Sequence, residues 1–514
     1  MVHRLIFATV LLALVVVPGH LFGGRTAAEV DSLQARIDAA APGDTIYVAG
    51  GTYRENVIIA KPLELIGEGW PVIDGGGEGD VVTVTADDVS ISGFEIRGSG
   101  RSVSQEPAAV KVSDAHAFGL RSSRIRDSHF GIHMTGGHHA EIAFNDIDLG
   151  AATPVERRGH AIYLWKVAGS AIHGNRIQNA ADGIHLEFSE SNGIGENTVT
   201  DSRYALHFMY ANGNKVLSNT FRHNLAGAVI MFSKILVLKD NELSENRRGA
   251  TGAGILLKDV DDIFAQGNRV LRNKFGLMAD GSPQTPGATA TFMDNLFALN
   301  DTGVALMTSA PITFVDNAMI ENTVQVKALG GSLTGHEAAP DTPDSSSNAG
   351  HEGHGATPTA PAPVAPSAGS KQATWTIGGR GNYWSDYKGY DANGDGVGDR
   401  PYQPQPPFAG ALSDNDTLRL FQFTVAQQAI DVASDMFPLY EYDAVIQDSG
   451  PLMQAPGPAL PGESGINRGL LVVSALLLLL SGAVAQAVLG IDIAQPLRRV
   501  FSPAGGRLGR EGGS

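Results

Sequence analysis

The sequence predicts an all-β fold: a right-handed parallel β-helix with an N-terminal capping helix, followed by one C-terminal transmembrane helix. Three observations lead to this prediction. From about residue 120 onward, an asparagine followed two places later by an apolar residue recurs at short intervals. Short β-rich runs separated by glycine-rich turns fill the chain around these asparagines. Near the C-terminus, one uncharged apolar stretch is long enough to cross a bilayer as a helix.

The composition excludes several classes of function. The chain has 514 residues and a formal net charge of −17, so we expect no nucleic-acid partner, because phosphate binding needs clustered Lys and Arg. The chain contains no cysteine, which excludes disulfides, thiolate metal sites and a cysteine nucleophile. It also lacks a glycine-rich phosphate loop ending in Lys-Ser/Thr, so we predict no nucleotide site.

The N-terminal region predicts export. His3 and Arg4 precede an uncharged apolar run over 5–17, and small residues follow, which indicates a signal peptide over 1–24. A first buried strand or an uncleaved anchor is the alternative. Apolar residues at helical spacing over 30–37, ended by Pro42-Gly43, predict a helix that caps the open end of the solenoid.

The asparagine repeat predicts a β-helix over 27–333. The intervals between successive asparagines are 30, 22, 22, 22, 27, 27 and 22, and a period near 22 with occasional insertions suits one coil of a stacked solenoid. We expect the asparagines to form an internal ladder that satisfies the backbone of the turns. The asparagines are Asn145, Asn175, Asn197, Asn219, Asn241, Asn268, Asn295 and Asn317.

The remainder of the chain divides into five predicted segments. Residues 334–371 are rich in Pro, Ala, Ser and Gly and carry a few histidines, so we expect a disordered insert. Residues 372–447 hold the last strands and an Asp-rich loop that caps the solenoid, and 448–467 form a linker. Residues 468–491 are the transmembrane helix and 492–514 a cytoplasmic tail. Four arginines follow that helix while one closely precedes it, which places the body outside the cytoplasm, anchored to the membrane.

The outward face of one predicted strand is unusual for a solvated surface. Alternation places apolar pairs such as Ile184 and Leu186 inside, so the intervening residues form outward columns on coils roughly 4.8 Å apart. One column runs His133, Tyr163, His185, His207, Val229, Leu256, Met278, and the next runs Thr135, Trp165, Glu187, Met209, Met231, Lys258, Asp280, Met307.

Histidine and methionine together on these columns suit copper, especially the cuprous ion. The copper candidates are His133, His185, His207, Met209 and Met231. The stripe also fits a covered or partner-binding surface without metal, for which the candidates are Tyr163, Trp165, Glu187 and Met278. Polysaccharide binding by the Tyr163 and Trp165 rings is a third interpretation.

A second candidate site lies in the Asp-rich loop. Oxygen ligands alternate along Asp391, Asn393, Asp395, the Val397 carbonyl and Asp399, as at successive ligand positions of a calcium loop. The closing position is a tyrosine instead of a bidentate glutamate. A structural calcium ion and a metal-free loop rich in Asx turns are therefore both open.

The sequence resembles the NosD family of periplasmic maturation proteins for nitrous oxide reductase. The resemblance covers roughly residues 30–445 and is carried by Gly51-Thr52-Tyr53-Arg54-Glu55, by Gly381-Asn382-Tyr383-Trp384-Ser385-Asp386-Tyr387 and by the Asp-rich run that follows. It implies a β-helix scaffold that docks on an ABC transporter and helps assemble the copper-sulfur centre of the apo nitrous oxide reductase. A copper chaperone is a further candidate partner.

Two rival interpretations remain. One is a carbohydrate-active β-helix, a lyase or hydrolase with Asp182, Glu187 or Asp280 as acid and base. A hydrolase needs paired carboxylates about 5 to 9 Å apart, and Glu187 and Asp280 lie several coils apart. The other is a purely structural surface protein, which leaves the histidine and methionine columns unexplained.

Overall fold

The computed structural model describes residues 32–102, 104–249, 252–308, 310–328, 373–403 and 446–457. These residues form a parallel β-helix with three sheets of 13, 13 and 12 strands. One strand from each sheet, taken in chain order, makes one rung, and each strand pairs in parallel with the equivalent strand of the next rung. The all-β solenoid prediction is therefore confirmed.

The strands are short, because glycine-rich or polar corners interrupt the chain every few residues. Sheet 1 consists of Thr45–Ala49, Glu64–Glu68, Ser90–Ser92, Gly119–Arg121, Glu141–Ala143, Ala171–His173, Gly193–Gly195, Lys215–Leu217, Lys234–Lys239, Asp261–Gln266, Ala290–Met293, Ile312–Val315 and Ala373–Thr374. Sheet 2 consists of Thr52–Tyr53, Val72–Asp74, Glu95–Arg97, Arg124–Arg126, Asp146–Asp148, Arg176–Gln178, Thr198–Thr200, Thr220–Arg222, Glu242–Ser244, Arg269–Leu271, Leu296–Ala298, Ala318–Ile320 and Tyr383–Trp384. Sheet 3 consists of Val57–Ile59, Val82–Val84, Ala108–Ser113, Phe130–Thr135, Ile162–Trp165, Asp182–Glu187, Tyr204–Met209, Ala226–Met231, Ala253–Lys258, Phe275–Asp280, Thr302–Met307 and Val324–Ala328.

A short helix, α1 (Leu33–Ala39), covers the first rung as predicted. The Ser32 hydroxyl accepts a hydrogen bond from the Ala35 N–H at 3.2 Å, which satisfies a helix N-terminal donor. Leu33 and Ile37, on one face of the helix, are buried against the solenoid core. The cap shields apolar side chains that an open solenoid end would expose to water.

The core is a stack of aliphatic side chains in register. Ile132 lies opposite Ile162 and Ile162 opposite Ile184, and all three are buried. Ile184 is followed by Leu206 in the next rung. Like residues stack because each rung repeats the turn positions of the one before it.

The predicted asparagine ladder is present. Each Asn side-chain N–H donates to the side-chain oxygen of the next asparagine at 2.9–3.0 Å, from Asn145 through Asn317. The same nitrogen also donates to a backbone carbonyl of a neighbouring rung, as Asn219 does to Ile194 at 2.9 Å. A second ladder, not predicted, joins Asn224, Asn246, Asn273, Asn300 and Asn322.

The distinctive Asn-Tyr-Trp motif closes the far end of the first ladder. Asn317 donates to Asn382 at 2.9 Å, and the fully buried Asp448 accepts the Asn382 N–H at 2.7 Å and the Trp384 indole N–H at 2.9 Å. Tyr402 stacks on Trp384 with ring centroids 4.2 Å apart. Since Asp448 is part of this cap, the packed body extends into the predicted linker 448–467, up to Gly457.

Several predicted segments lie outside the described residues: the signal peptide 1–24, the insert 334–371, the transmembrane helix 468–491 and the tail 492–514. The solenoid that we do describe runs from α1 to residue 328 and resumes at residue 373. Over the described ranges, we find no helix that is both long enough and apolar enough to span a bilayer.

Candidate metal centre

The candidate metal centre lies on the outward face of sheet 3, beside the corners that join sheet 2 to sheet 3. In a regular rung this corner takes three residues, 179–181, but in the preceding rung it is extended to 149–161 and includes a 3₁₀ turn, Val155–Arg157. The Arg158 guanidinium fixes the longer corner by donating to the carbonyls of Thr153 and Asp201, at 2.7 and 3.2 Å. His160 lies in the last two residues of this corner, just before the strand Ile162–Trp165.

A glycine sets the geometry of the central strand, Asp182–Glu187. A Cβ atom at Gly183 would lie 2.4 Å from Val199 Cγ1 and 2.7 Å from the Ala205 carbonyl oxygen, so only glycine fits at this inward position. The ordinary alternation of side chains is broken there. Asp182 and His185, three residues apart, therefore both project from the outer side of sheet 3.

Asp182 is the centre of the cluster. It is fully buried, and its carboxylate accepts hydrogen bonds from His207 Nδ1 at 2.9 Å and from Arg203 Nε and Nη2 at 3.0 and 2.9 Å. His160 Nδ1 lies 3.3 Å and His185 Nδ1 3.8 Å from the same carboxylate. One carboxylate thus gathers three imidazoles and one guanidinium from three consecutive rungs.

The imidazole rings pack on one another. His185 and His207 stack with centroids 4.3 Å apart and an interplanar angle of 18°, while His160 meets His185 edge to face. His160 Nε2 lies 3.4 Å from His185 Nδ1. On the far side of the two stacked rings, the Nε2 atoms of His185 and His207 are buried and have no hydrogen-bond partner.

Burial controls the charge of these groups. It lowers the pKa of His160 to about 4, in spite of the neighbouring Asp182. Burial, together with His160 and His207, lowers the pKa of His185 to about 2. Burial alone would raise the pKa of Asp182, but His160, His207 and Arg203 lower it below its usual value. At neutral pH the site therefore holds an ionised Asp182 carboxylate and neutral imidazoles at His160 and His185.

This donor set fits a metal ion. His160, Asp182 and His185 each offer a ligand atom, and these atoms all lie within 4.8 Å of one another. Neutral imidazole is the form that binds metals, and it suits copper and zinc. A buried nitrogen without a hydrogen-bond partner is energetically costly, by about 1–3 kcal/mol, and an ion bound on the far side of the stacked rings, at the two Nε2 atoms, would remove that cost at His185 and His207.

The structure brings only some of the predicted copper residues together. His185 and His207 are in contact, as predicted. His133 is separated from His185 by the ring of Tyr163, with centroids 4.9 and 5.0 Å from it. Met209 and Met231 pair with each other on the adjacent outward column, two residues further along their strands.

The outward histidines are also less exposed than a surface column suggests. His133, His185 and His207 retain 6%, 7% and 7% exposure. Aromatic rings explain part of this burial: Phe130 stacks on His133 with centroids 5.3 Å apart, and Tyr204 meets His207 edge to face. The column is thus a buried polar cluster with a partly exposed rim.

The predicted partner residues form part of that rim. Tyr163 donates its hydroxyl to Glu187 at 2.7 Å, and the Lys166 ammonium lies 4.0 Å from the centre of the Trp165 ring. Both aromatic residues and Glu187 are half-buried. Met278, also half-buried, lies several rungs away between Leu256 and Ala305.

Sequence reasoning missed His160, Arg203 and the central role of Asp182. His160 lies near the end of an insertion, so its position in the rung cannot be found by counting 22 residues from the previous rung. Asp182 directly precedes Gly183, where the inward and outward alternation of side chains is broken. A signal was available, because a small residue begins the inward part of each strand. The residues just before it form a third outward column: Phe130, His160, Asp182, Tyr204 and Ala226.

The Asp-rich loop does not support the calcium prediction. Asp391 accepts backbone N–H groups of Gly394, Asp395 and Gly396 at 2.6, 3.2 and 2.8 Å. Asp395 accepts the Val397 N–H at 2.8 Å, and Asp399 accepts that of Ala392 at 2.7 Å. The carboxylates thus satisfy turn donors, as in the alternative interpretation of an Asx-turn loop; Asn393 joins them through its side chain.

The carboxylates of the carbohydrate-active interpretation are each paired. Asp182 binds Arg203, Glu187 accepts the Tyr163 hydroxyl, and Asp280 accepts from Lys258 at 2.9 Å. Glu187 and Asp280 share one column but lie four rungs apart. The structure does not bring these three residues to one place.

Comparison with known proteins identifies related chains. Residues 150–338 match the family described as periplasmic copper-binding protein (NosD), and residues 76–221 match the right-handed β-helix region, which confirms the predicted handedness. A probable ABC transporter binding protein NosD from Pseudomonas aeruginosa is 27% identical over 439 residues, covering 83% of this chain and 91% of that protein. Its counterpart in Stutzerimonas stutzeri is 28% identical over 418 residues, covering 79% and 86%.

Solved structures show more distant likenesses. The A-module of mannuronan C-5 epimerase AlgE6 from Azotobacter vinelandii gives a TM-score of 0.45 with 12% identity, covering 58% of this chain and 91% of that one. The surface adhesin PfbA of Streptococcus pneumoniae gives a TM-score of 0.38 with 11% identity, covering 58% and 86%. Neither likeness carries an argument about function.

Proposed function

Since the chain belongs to the NosD family, we propose that it handles copper outside the cytoplasm as a scaffold for the maturation of nitrous oxide reductase. In this proposal it binds copper as cargo at the cluster around Asp182 and works with an ABC transporter, as the names of its relatives suggest. The matched family region, 150–338, includes His160, Asp182, His185 and His207.

One observation carries the proposal: the Nε2 atoms of His185 and His207 are buried, adjacent and without hydrogen-bond partners. A structural histidine normally satisfies both ring nitrogens when it is buried. Two unsatisfied imidazole nitrogens on stacked rings, held by a carboxylate on their other side, are the donors that a copper ion requires.

Asp182 acts as the positioning residue. By accepting the N–H of His207 Nδ1, it selects the tautomer that leaves the Nε2 lone pair free. Arg203 holds the carboxylate through two hydrogen bonds and keeps the net charge of the buried cluster near zero. His160 lies on the Asp182 side of His185, with its Nε2 3.4 Å from His185 Nδ1, and helps to hold the stacked rings in place.

Low histidine pKa values make the site ready for the ion. Because burial keeps His160 and His185 neutral down to about pH 4, copper does not have to displace protons from them near neutral pH. Loading and release then depend on the partner's competing ligands and not on protonation. This is a useful property for a protein that passes its ion to another protein.

The rim of the cluster is the proposed docking surface for the apo-reductase or the transporter. Its candidates are Tyr163, Trp165 and Glu187, with Met278 several rungs further along the same face and with Met209 and Met231 as thioether donors on the column beside the imidazoles. Half-buried aromatic and thioether side chains are typical of protein contact surfaces. His133, behind Tyr163, belongs to the same polar layer.

The test uses cells that depend on this chain for an active reductase. The chain is replaced by the His185→Ala/His207→Ala variant, and the copper content and visible spectrum of purified nitrous oxide reductase are measured. We expect a reductase lacking the copper-sulfur centre. A His223→Ala variant, which changes an exposed histidine paired with Glu245, serves as control. A fully loaded reductase in the double variant, with the variant present at normal levels, would refute the proposal.

A further inference from the structure

A second histidine cluster lies away from the copper centre, at the corner between sheets 3 and 1. Asp87, His116 and His138 occupy equivalent corner positions on consecutive rungs, since Asp88 N–H donates to the His116 carbonyl at 3.0 Å and Ala117 N–H to the His138 carbonyl at 2.9 Å. His139 follows His138 directly. Neither the sequence patterns above nor the comparisons assign a role to these residues.

The side chains of this corner converge. The rings of His116 and His138 stack with centroids 3.8 Å apart and an interplanar angle of 18°. His138 Nδ1 lies 3.2 Å from His139 Nδ1, and the two rings are 4.5 Å apart. The Asp87 carboxylate lies beside the group and accepts the backbone N–H of His116 at 2.7 Å.

We propose that His116, His138 and His139, with Asp87, form a surface site for a divalent transition-metal ion of the Cu²⁺ or Zn²⁺ class. Two imidazole nitrogens bound to one ion at about 2.0 Å in tetrahedral geometry lie about 3.3 Å apart, which is close to the His138–His139 separation. His116 Nδ1 is buried without a hydrogen-bond partner. In the proposal this nitrogen is the third ligand, and ion binding turns the ring of His116 toward His138 and His139.

The backbone preorganises the site while the side chains stay accessible. His138 pairs with Ala168 in a parallel bridge, and His139 N–H donates to the Ala168 carbonyl at 3.0 Å. The His138 and His139 side chains are exposed, so an ion can reach them from solvent. This contrasts with the enclosed cluster around Asp182.

The two sites share no residue and lie at different corners of the solenoid. The surface site lies beyond the end of the Phe130–Thr135 strand, and the copper centre lies at the start of later strands. This inference does not depend on the proposed function, because none of its ligands belongs to the cluster around Asp182.

The probe is Cu²⁺, titrated into the full chain in the presence of a competing chelator and followed by electron paramagnetic resonance. We expect one tightly bound ion with hyperfine coupling to several nitrogens. The His116→Ala/His138→Ala/His139→Ala variant should bind this ion roughly a hundredfold more weakly or worse, and Asp87→Asn about tenfold more weakly. The His185→Ala/His207→Ala variant should keep the signal, as should the control His223→Ala.

Substitution at these positions leaves the core intact, because the rings lie outside the solenoid, and circular dichroism checks that each variant is folded. An unchanged Cu²⁺ affinity and nitrogen coupling in the triple variant would overturn the proposal. So would loss of the signal in the His185→Ala/His207→Ala variant alone, since that result would assign the divalent ion to the copper centre.

Discussion

Acidification should destabilise the metal-free protein through its buried histidines. Burial, together with Lys111, lowers the pKa of His133 to about 4, and burial lowers that of His160 to about 4 as well. In the unfolded chain both groups titrate near the ordinary histidine pKa of 6.5. Between these two values the unfolded state binds more protons, so the free energy of unfolding falls as the pH falls.

The magnitude follows from the two pKa values. For one histidine with a pKa of 6.5 unfolded and about 4 folded, lowering the pH from about 7 to about 5 costs about 2 kcal/mol. His133 and His160 together then cost up to about 4 kcal/mol. The folded pKa of Asp182 is lowered, so its contribution is lost as the pH falls through that lower value, mainly below about pH 4.

The contribution of one histidine to this pH dependence can be measured at His133, because its side chain is only 8% exposed and Tyr163 separates its ring from His185. We expect His133→Gln to reduce the pH 7 to pH 5 difference in unfolding free energy by about 2 kcal/mol. The assay is urea unfolding of the chelator-treated protein at both pH values, with His223→Gln as the exposed control. An undiminished difference in His133→Gln, or an equal reduction in the control, would refute the reasoning.

Two further predictions concern the scaffold. Gly183→Ala places a Cβ 2.4 Å from Val199 Cγ1, whereas Gly193→Ala meets nothing within 4 Å; we expect a loss of about 1–3 kcal/mol for the first and little change for the second, by urea unfolding. Equal stabilities would contradict the account of the strand. Asn219→Ala leaves the side-chain amide of Asn197 without its acceptor and should lower the unfolding free energy by about 1–3 kcal/mol; a thermal midpoint equal to that of the unmodified chain would contradict the ladder's role.

Much of the fold can be predicted from the sequence, because a β-helix repeats one set of turn positions. The 22-residue asparagine interval fixes the rung, and alternation around pairs such as Ile184 and Leu186 separates the core from the surface. The Asn ladder could also be predicted, because a side-chain amide both donates and accepts hydrogen bonds and can therefore bind the equivalent amide of the next rung. A cap over 372–447 was predicted, but its contact of Asn382 with Asp448 could not be, because the two residues are 66 positions apart.

The candidate site was only partly predictable. His185 and His207 come together because adjacent rungs place equal positions side by side. His160 was not predicted, because the insertion before it interrupts the 22-residue repeat. The central role of Asp182 was not predicted, because Gly183 breaks the alternation and puts Asp182 on the outward face. Alternating oxygens in the Asp-rich loop suit calcium and Asx turns equally well, and the hydrogen bonds of Asp391 establish the turns.

The central claim is that the Asp182-centred cluster binds copper through imidazole. The direct measurement is anaerobic titration of the full chain with cuprous ion against a competing chelator, followed by X-ray absorption of the loaded protein. We predict one tightly bound ion with at least two nitrogen ligands at about 2.0 Å, lost in the His185→Ala/His207→Ala variant and weakened in Asp182→Asn. Binding of equal affinity in the double variant, or a ligand shell composed only of sulfur, would contradict the claim.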